Sequence, residues 1–330
     1  MKTSPYIVYF LLALVVFLLS TKSGNEKTIV NAMGEVEHPA DNAFSDAKVE
    51  LGRKLFFDSR LSSDSSLSCA SCHLPELAFT DGRKTAIGVN GAMGNRNAPT
   101  LLNVGYQETF MFDAHLETLE KQVIVPIQEP IEMNMNMVDL IERLRKDPYY
   151  VRAAREIFDR DFDPWVLTRS ISAFERTLVS DNSRFDQYMY HGNEEALTKS
   201  ELRGWKLFSE KLYCTECHKV PLFTNLVAEN NGLYSDYGED KGRFRIHKDS
   251  NDIGKFKVPT LRNIVLTAPY MHDGSFSSLE EVIDHYSKGG EDHWNKSDLI
   301  KPFELSQSER KDLLNFFEAL TDTSYMKRFR

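Results

Sequence analysis

In three stretches of this chain apolar residues recur at helical spacing behind a recognisable start signal. Thr198 and Glu201 stand in the relation of a capping box, and Leu202, Trp205 and Phe208 follow on one face. Ser278 and Glu281 open a second stretch, in which Leu279, Val282, Ile283 and Tyr286 share a face; Ser306 and Glu309 open a third, carrying Leu313, Leu314, Phe316, Phe317 and Leu320. Strand signals are scarce. Long segments rich in Gly, Asn, Asp and Pro, notably 81–100 and 229–260, run between the helices. The pattern predicts an all-α protein with extended connecting loops.

One apolar run has a different character. Behind Lys2, residues Ile7 to Leu19 are apolar without interruption. At helical rise they span roughly 20 Å, short of the ~30 Å hydrocarbon core, so a signal peptide over 1–23 is predicted rather than a membrane span. Thr21-Lys22-Ser23 lacks a clean small-x-small cleavage pattern, and an uncleaved anchor is the competing reading. Without such an anchor, no membrane association is expected.

The four cysteines change the picture most. All of them fall in two pentapeptides, Cys69-Ala70-Ser71-Cys72-His73 and Cys214-Thr215-Glu216-Cys217-His218. Two sulfurs at this spacing reach the two vinyl-derived carbons of one porphyrin while the next residue offers an imidazole to its iron, so each CxxCH predicts a covalently attached haem c. His73 and His218 are the expected proximal ligands. A disulfide, a redox dithiol or one shared zinc site are the other readings of paired CxxC, and none explains a histidine directly after each second cysteine. Covalent haem attachment in bacteria takes place outside the cytoplasm, which agrees with an export signal and a periplasmic location.

Similar helices precede the two motifs: Gly52-Arg53-Lys54-Leu55-Phe56 before Cys69, and Gly204-Trp205-Lys206-Leu207-Phe208 before Cys214. This predicts an internal duplication, with one cytochrome c-like haem domain over 40–185, a second over 195–325 and a boundary near 180–197. The formal charge of −9 argues against nucleic acid as a partner and suits a basic redox protein, although an acidic solvated surface accounts for it equally.

With these motifs in place, the stretches LGRKLFFDSRLS (51–62), RNAPTLLN (96–103) and LRNIVLTAPYMHDG (261–274) resemble the bacterial dihaem cytochrome c peroxidases and their MauG-type relatives. The resemblance covers roughly residues 40–320. It implies that the N-terminal haem, on His73, reacts with hydrogen peroxide, and that the C-terminal haem, on His218, passes electrons to it. It places the distal-pocket residues at Gln122 and Glu132. A carboxylate beside the iron suits peroxide cleavage, because one group must take a proton from the near oxygen and return it to the far one. The resemblance also implies a calcium ion between the domains, at Asn97, Thr267 and Pro269.

Three positions depart from the better-known peroxidases. Val89 stands where many of them have a removable histidine ligand, which implies an open peroxidatic iron in the oxidised protein; Met93 nearby is a competing ligand. Tyr286 stands where they have an axial methionine, as in MauG-type proteins, and His285 is its neighbour around the helix. Phe112 replaces the tryptophan between the haems, and His272 is a candidate near the haem edges. The leading expectation is an exported peroxidase fed by a small cytochrome c or copper protein. A MauG-type oxidase acting on side chains of a protein substrate and a plain dihaem electron carrier are the alternatives.

Overall fold

The computed structural model describes residues 32–329, and the predicted signal segment lies outside them. Those residues are mostly helical, as the apolar spacing predicts. The first half carries α1 (Asp46–Phe56), the short α2 (Leu119–Gln122) and α3 (Ile124–Gln128), then α4 (Met137–Leu144), α5 (Pro148–Phe158) and α6 (Pro164–Glu175). The second carries α7 (Arg184–Met189), α8 (Lys199–Lys206), α9 (Phe244–His247), α10 (Leu279–Ser287) and α11 (Gln307–Ala319). Strand structure among the described residues is limited to β1 (Ala228–Glu229) and β2 (Phe256–Lys257), antiparallel, with a few isolated bridges.

The capping boxes at Thr198/Glu201, Ser278/Glu281 and Ser306/Glu309 are all formed, and a fourth stands at Ser183/Asp186. First-half helices start differently. Asn136, Asp147 and Asp163 accept backbone N–H groups of the first turns of α4, α5 and α6, and Pro148 and Pro164 occupy N-terminal positions where the missing N–H costs nothing. The stripe expected through Phe208 is interrupted, because α8 gives way to a π-turn over Leu207–Lys211. Trp205 and Phe208 still meet, stacked with centroids 6.2 Å apart, over the fully buried Phe316.

Two large apolar cores result, beside a small cluster of Val104, Phe110 and Leu119. The first gathers Leu51, Leu55, Phe56, Phe79, Ile127, Tyr150 and Ile171, and the chain end returns to it through Tyr325, Met326 and Phe329. The second centres on Phe185, Phe208, Phe223, Phe316 and Leu320. Each contains a helix pair in which a glycine permits close approach. A Cβ on Gly52 would lie 1.8 Å from the Ser170 carbonyl oxygen in α6, and one on Gly204 would lie 2.1 Å from the Asp312 carbonyl oxygen in α11.

Local geometry also repeats downstream of each CxxCH motif. The Thr100 hydroxyl donates to the Ala78 carbonyl and accepts from the Leu102 N–H; the Thr260 hydroxyl donates to the Leu222 carbonyl and accepts from the Arg262 N–H. Asn103 and Asn263 both take the left-handed conformation that asparagine tolerates, and both bind Ser180. The Asn103 amide brackets the Ser180 backbone at 2.9 and 2.8 Å, while the Asn263 amide donates to the Ser180 hydroxyl at 2.7 Å. Arg262, buried and paired with the equally buried Asp186, donates to the same Ser180 carbonyl.

Candidate haem sites

Each CxxCH motif folds as a 3-10 turn, Cys69–Ser71 and Cys214–Glu216, and the backbone N–H of the following histidine closes on the first cysteine's carbonyl. The first turn starts from a capping box at Ser68/Ser71; the second follows Tyr213, held at φ +53° and largely exposed. All four cysteines are free of disulfides. Among the described residues no group of three or more His, Cys, Asp or Glu side chains could hold a metal ion, so the two pairs do not form one zinc site.

The imidazoles are oriented in the same way in both halves. His73 Nδ1 lies 2.9 Å from the Phe79 carbonyl, and His218 Nδ1 lies 3.0 Å from the Phe223 carbonyl. Both phenylalanines are fully buried at φ +58° and +55°, a conformation that costs an L-residue about 1–2 kcal/mol and persists only where packing imposes it. A carbonyl can only accept, so Nδ1 carries the hydrogen and Nε2 keeps its lone pair for iron. Burial pushes both imidazoles down, His218 to about 4, which keeps them neutral, as ligation of an iron requires. It pushes the thiols up, Cys72 to about 11 and Cys214 to about 12, away from the thiolate that zinc prefers. The donor sets fit two haems c.

Around the first motif the structure brings Asp81 and Glu132 into the electrostatic surroundings of Cys72, where after burial they add, in that order, to the rise of its thiol. Glu132 lies in a turn whose N–H closes on the Glu129 carbonyl at 3.0 Å. Burial, and then the charge of Glu129, push its carboxyl above the ordinary carboxylate range. Val89 is buried, and its N–H donates to the Glu132 carbonyl at 2.8 Å. At Gly88 a Cβ would sit 2.1 Å from the Ile131 carbonyl oxygen, so the loop lies directly on the Glu132 backbone. Met93, the competing ligand in sequence terms, is 63% exposed. Gln122, at the end of α2, contacts a residue that sequence reasoning missed: its Nε2 lies 3.9 Å from Met111 Sδ.

Around the second motif, Tyr286 on α10 lies within the electrostatic reach of Cys217 and Cys214, and burial pushes its phenol up to about 12. His285 is turned elsewhere, its Nε2 3.1 Å from the Asn231 carbonyl. Asn231 is the second residue that sequence reasoning missed. Its Nδ2 lies 3.4 Å from both the Tyr286 hydroxyl and Met271 Sδ.

Between the two halves, the Phe112 carbonyl accepts the Lys257 N–H at 2.7 Å. His272 stacks on Phe256 at 3.7 Å with the rings 14° apart, and its carbonyl accepts the Asn97 N–H at 2.8 Å. Asn97 Nδ2 donates to the Arg83 carbonyl at 2.7 Å, and the Thr267 hydroxyl donates to the Ile264 carbonyl at 3.1 Å.

A sequence model of the di-haem cytochrome c peroxidases matches residues 46–195. The methylamine utilization protein MauG of Methylorubrum extorquens is 40% identical, over 86% of this chain and 81% of its own length. Cytochrome-c peroxidase IdrP1 of a Pseudomonas species is 34% identical over 93% of this chain and 89% of its own. Among solved structures, a MauG-like protein associated with microbial copper homeostasis superposes with a TM-score of 0.84 at 37% identity, covering 91% of this chain and 96% of that one. The diheme peroxidase BthA of Burkholderia thailandensis shares the fold at a TM-score of 0.73 and 22% identity, over 86% of this chain and 88% of its own. With two haem c sites in a helical frame shared by relatives of both kinds, this chain belongs to the di-haem cytochrome c peroxidase family.

Proposed function

We propose that this chain is an exported peroxidase that reduces hydrogen peroxide at the haem on His73, with electrons delivered from a small cytochrome c or copper protein through the haem on His218. When bound, the first haem supplies the iron at which peroxide accepts two electrons; with two protons, two waters leave. The chain's own contribution is proton placement. Glu132 takes the proton of the near peroxide oxygen and returns it to the far one, and Gln122 orients the peroxide by donating a hydrogen bond.

The observation that carries this reading is the Glu132 turn, pinned by the Val89 N–H, with its carboxyl within the electrostatic reach of Cys72. A valine held there by its own backbone brings no ligand to the iron, which favours a site open in the oxidised protein. Rapid mixing of the fully oxidised protein with one equivalent of peroxide tests this. Immediate spectral change supports an open site; no reaction until one haem is reduced refutes it.

In this reading Tyr286 is the sixth ligand of the second haem, as its position near Cys214 and Cys217 supports. Phenolate ligation favours the MauG-type alternative, oxidation of a partner protein's side chains, because a hard anionic donor stabilises oxidised iron. Poor turnover with reduced cytochromes despite a fast peroxide reaction would establish that alternative. The two halves are one duplicated haem unit, roughly 40–185 and 195–325, a reading supported by the repeated loop geometry at Thr100–Asn103 and Thr260–Asn263. A calcium ion joins them through Asn97, Thr267 and Pro269. The contact of Asn97 with His272 supports this, since it brings Asn97 to the loop carrying the other two and its Nδ2 bond leaves Oδ1 available. The apolar N-terminal run and the extracytoplasmic chemistry of haem attachment favour the periplasm.

A further inference from the structure

Asn231 is held so firmly that the direction of its amide hydrogens is fixed. Its neighbour Asn230, buried, accepts the Gly232 N–H at 2.8 Å and the Tyr237 hydroxyl at 2.7 Å, which anchors the segment. The Asn231 carbonyl takes His285 Nε2 at 3.1 Å and lies so close to Gly290 that a Cβ there would approach to 2.8 Å. Asn231 Oδ1 accepts the Leu233 N–H at 3.1 Å. That contact settles which end of the amide is oxygen, so the other end is an NH2 group with two hydrogens and no lone pair to offer.

Two acceptors face it: Tyr286 Oη and Met271 Sδ, each 3.4 Å away. Both atom types ligate haem iron, one as a hard anionic oxygen and the other as a soft neutral sulfur. Met271 is set by a backbone at φ +75°, and its counterpart Met111, at φ +67°, meets the Gln122 amide in the first half. Because Nδ2 only donates, it occupies lone pairs on both atoms. The phenol oxygen keeps its O–H direction and a further lone pair, whereas a sulfur engaged by an N–H is a poorer nucleophile toward iron.

We propose that Asn231 is a positioning residue that selects the sixth ligand of the C-terminal haem, presenting the Tyr286 oxygen and restraining the Met271 sulfur. This rests on the assignment of Tyr286 as ligand. Hydrogen bonds from outer residues orient and tune ligands in this way. The selection also sets potential, since thioether ligation raises it relative to an anionic oxygen.

The test uses the holoprotein and reads absorption, electron paramagnetic resonance and the reduction potential of the second haem. In Asn231→Leu the phenolate-to-iron signature is expected to give way to a thioether-ligated low-spin signature, with the potential shifted upward. The double variant carrying Met271→Leu as well is expected to lose the thioether signature. Asn231→Asp, which keeps the shape but replaces donors with acceptors, is expected to lose the phenolate signature too. Wild-type spectra and potential in both single variants would overturn the proposal, as would a double variant indistinguishable from Asn231→Leu. Tyr286→Phe separates the two levels: an unchanged spectrum there removes the ligand assignment itself, independently of Asn231.

Discussion

Replacing Glu132 by Gln probes the proposed chemistry most directly, because it removes the proton acceptor and leaves the turn in place. The turn is held by backbone bonds, from the Val89 N–H to the Glu132 carbonyl and from the Glu132 N–H to the Glu129 carbonyl, and neither uses the side chain. A positioned general acid/base contributes typically ~10²–10⁴ in rate, or about 3–5 kcal/mol of barrier, so the peroxide-dependent step should slow by that factor. The structure also dictates the pH profile. Only the carboxylate accepts a proton, so the wild-type rate falls as pH drops through the Glu132 pKa. Burial and Glu129 place that pKa above the ordinary 4.5. Glu129→Gln removes the second cause, so its acid limb should move to lower pH; Glu132→Gln should have no such limb. Stopped-flow rates of peroxide reaction across the acid range measure all three. A Glu132→Gln rate within tenfold of wild type, or an unchanged acid limb, would refute the assignment.

Glu175 is buried, and desolvation pushes its carboxyl up to about 8, from an ordinary value of 4.5. Its folded-state pKa is raised, so its stabilising share is complete below 4.5 and is lost as pH climbs through 8. The loss is at most roughly 5 kcal/mol at ~1.4 kcal/mol per unit, and Glu175→Gln should flatten the decline in denaturant unfolding between pH 5 and 8. Arg262→Met leaves buried Asp186 without its partner, at a cost of about 3–5 kcal/mol in the same assay. Gly204→Ala sets a helix-propensity gain of about 1 kcal/mol against overpacking of about 1–3 kcal/mol or more. With the new Cβ 2.1 Å from the Asp312 carbonyl oxygen and 2.6 Å from Phe316 Cβ, overpacking should win, and a raised melting temperature would contradict this.

What could be read from the sequence was local. The CxxCH spacing needs only five consecutive residues, and a capping box only four, so His73, His218 and the starts of α8, α10 and α11 were legible. The Asp-Pro starts of α5 and α6 were equally legible but unused. Asn231 was not, because its meaning depends on Met271 and Tyr286, which lie far along the chain and arrive by folding alone. Nor was Met111, which meets the Gln122 amide only through a backbone at φ +67°. Glu175 reads as an ordinary helical glutamate, and only its burial in the folded chain strips it of water. Segment 81–100 was foreseen as a loop, but not the way in which it pins its Val89 N–H to the Glu132 carbonyl, and 229–260, foreseen as a loop too, holds the short α9 and the strand β2.

The grip on Ser180 bears on how the molecule comes apart. Its carbonyl and N–H are bound by an asparagine from one half, and its hydroxyl by an asparagine from the other. Opening either half strands buried amide groups belonging to both, at about 1–3 kcal/mol for each group left unpaired. The halves are therefore expected to melt together, and a fragment carrying one haem would leave these buried groups without their partners.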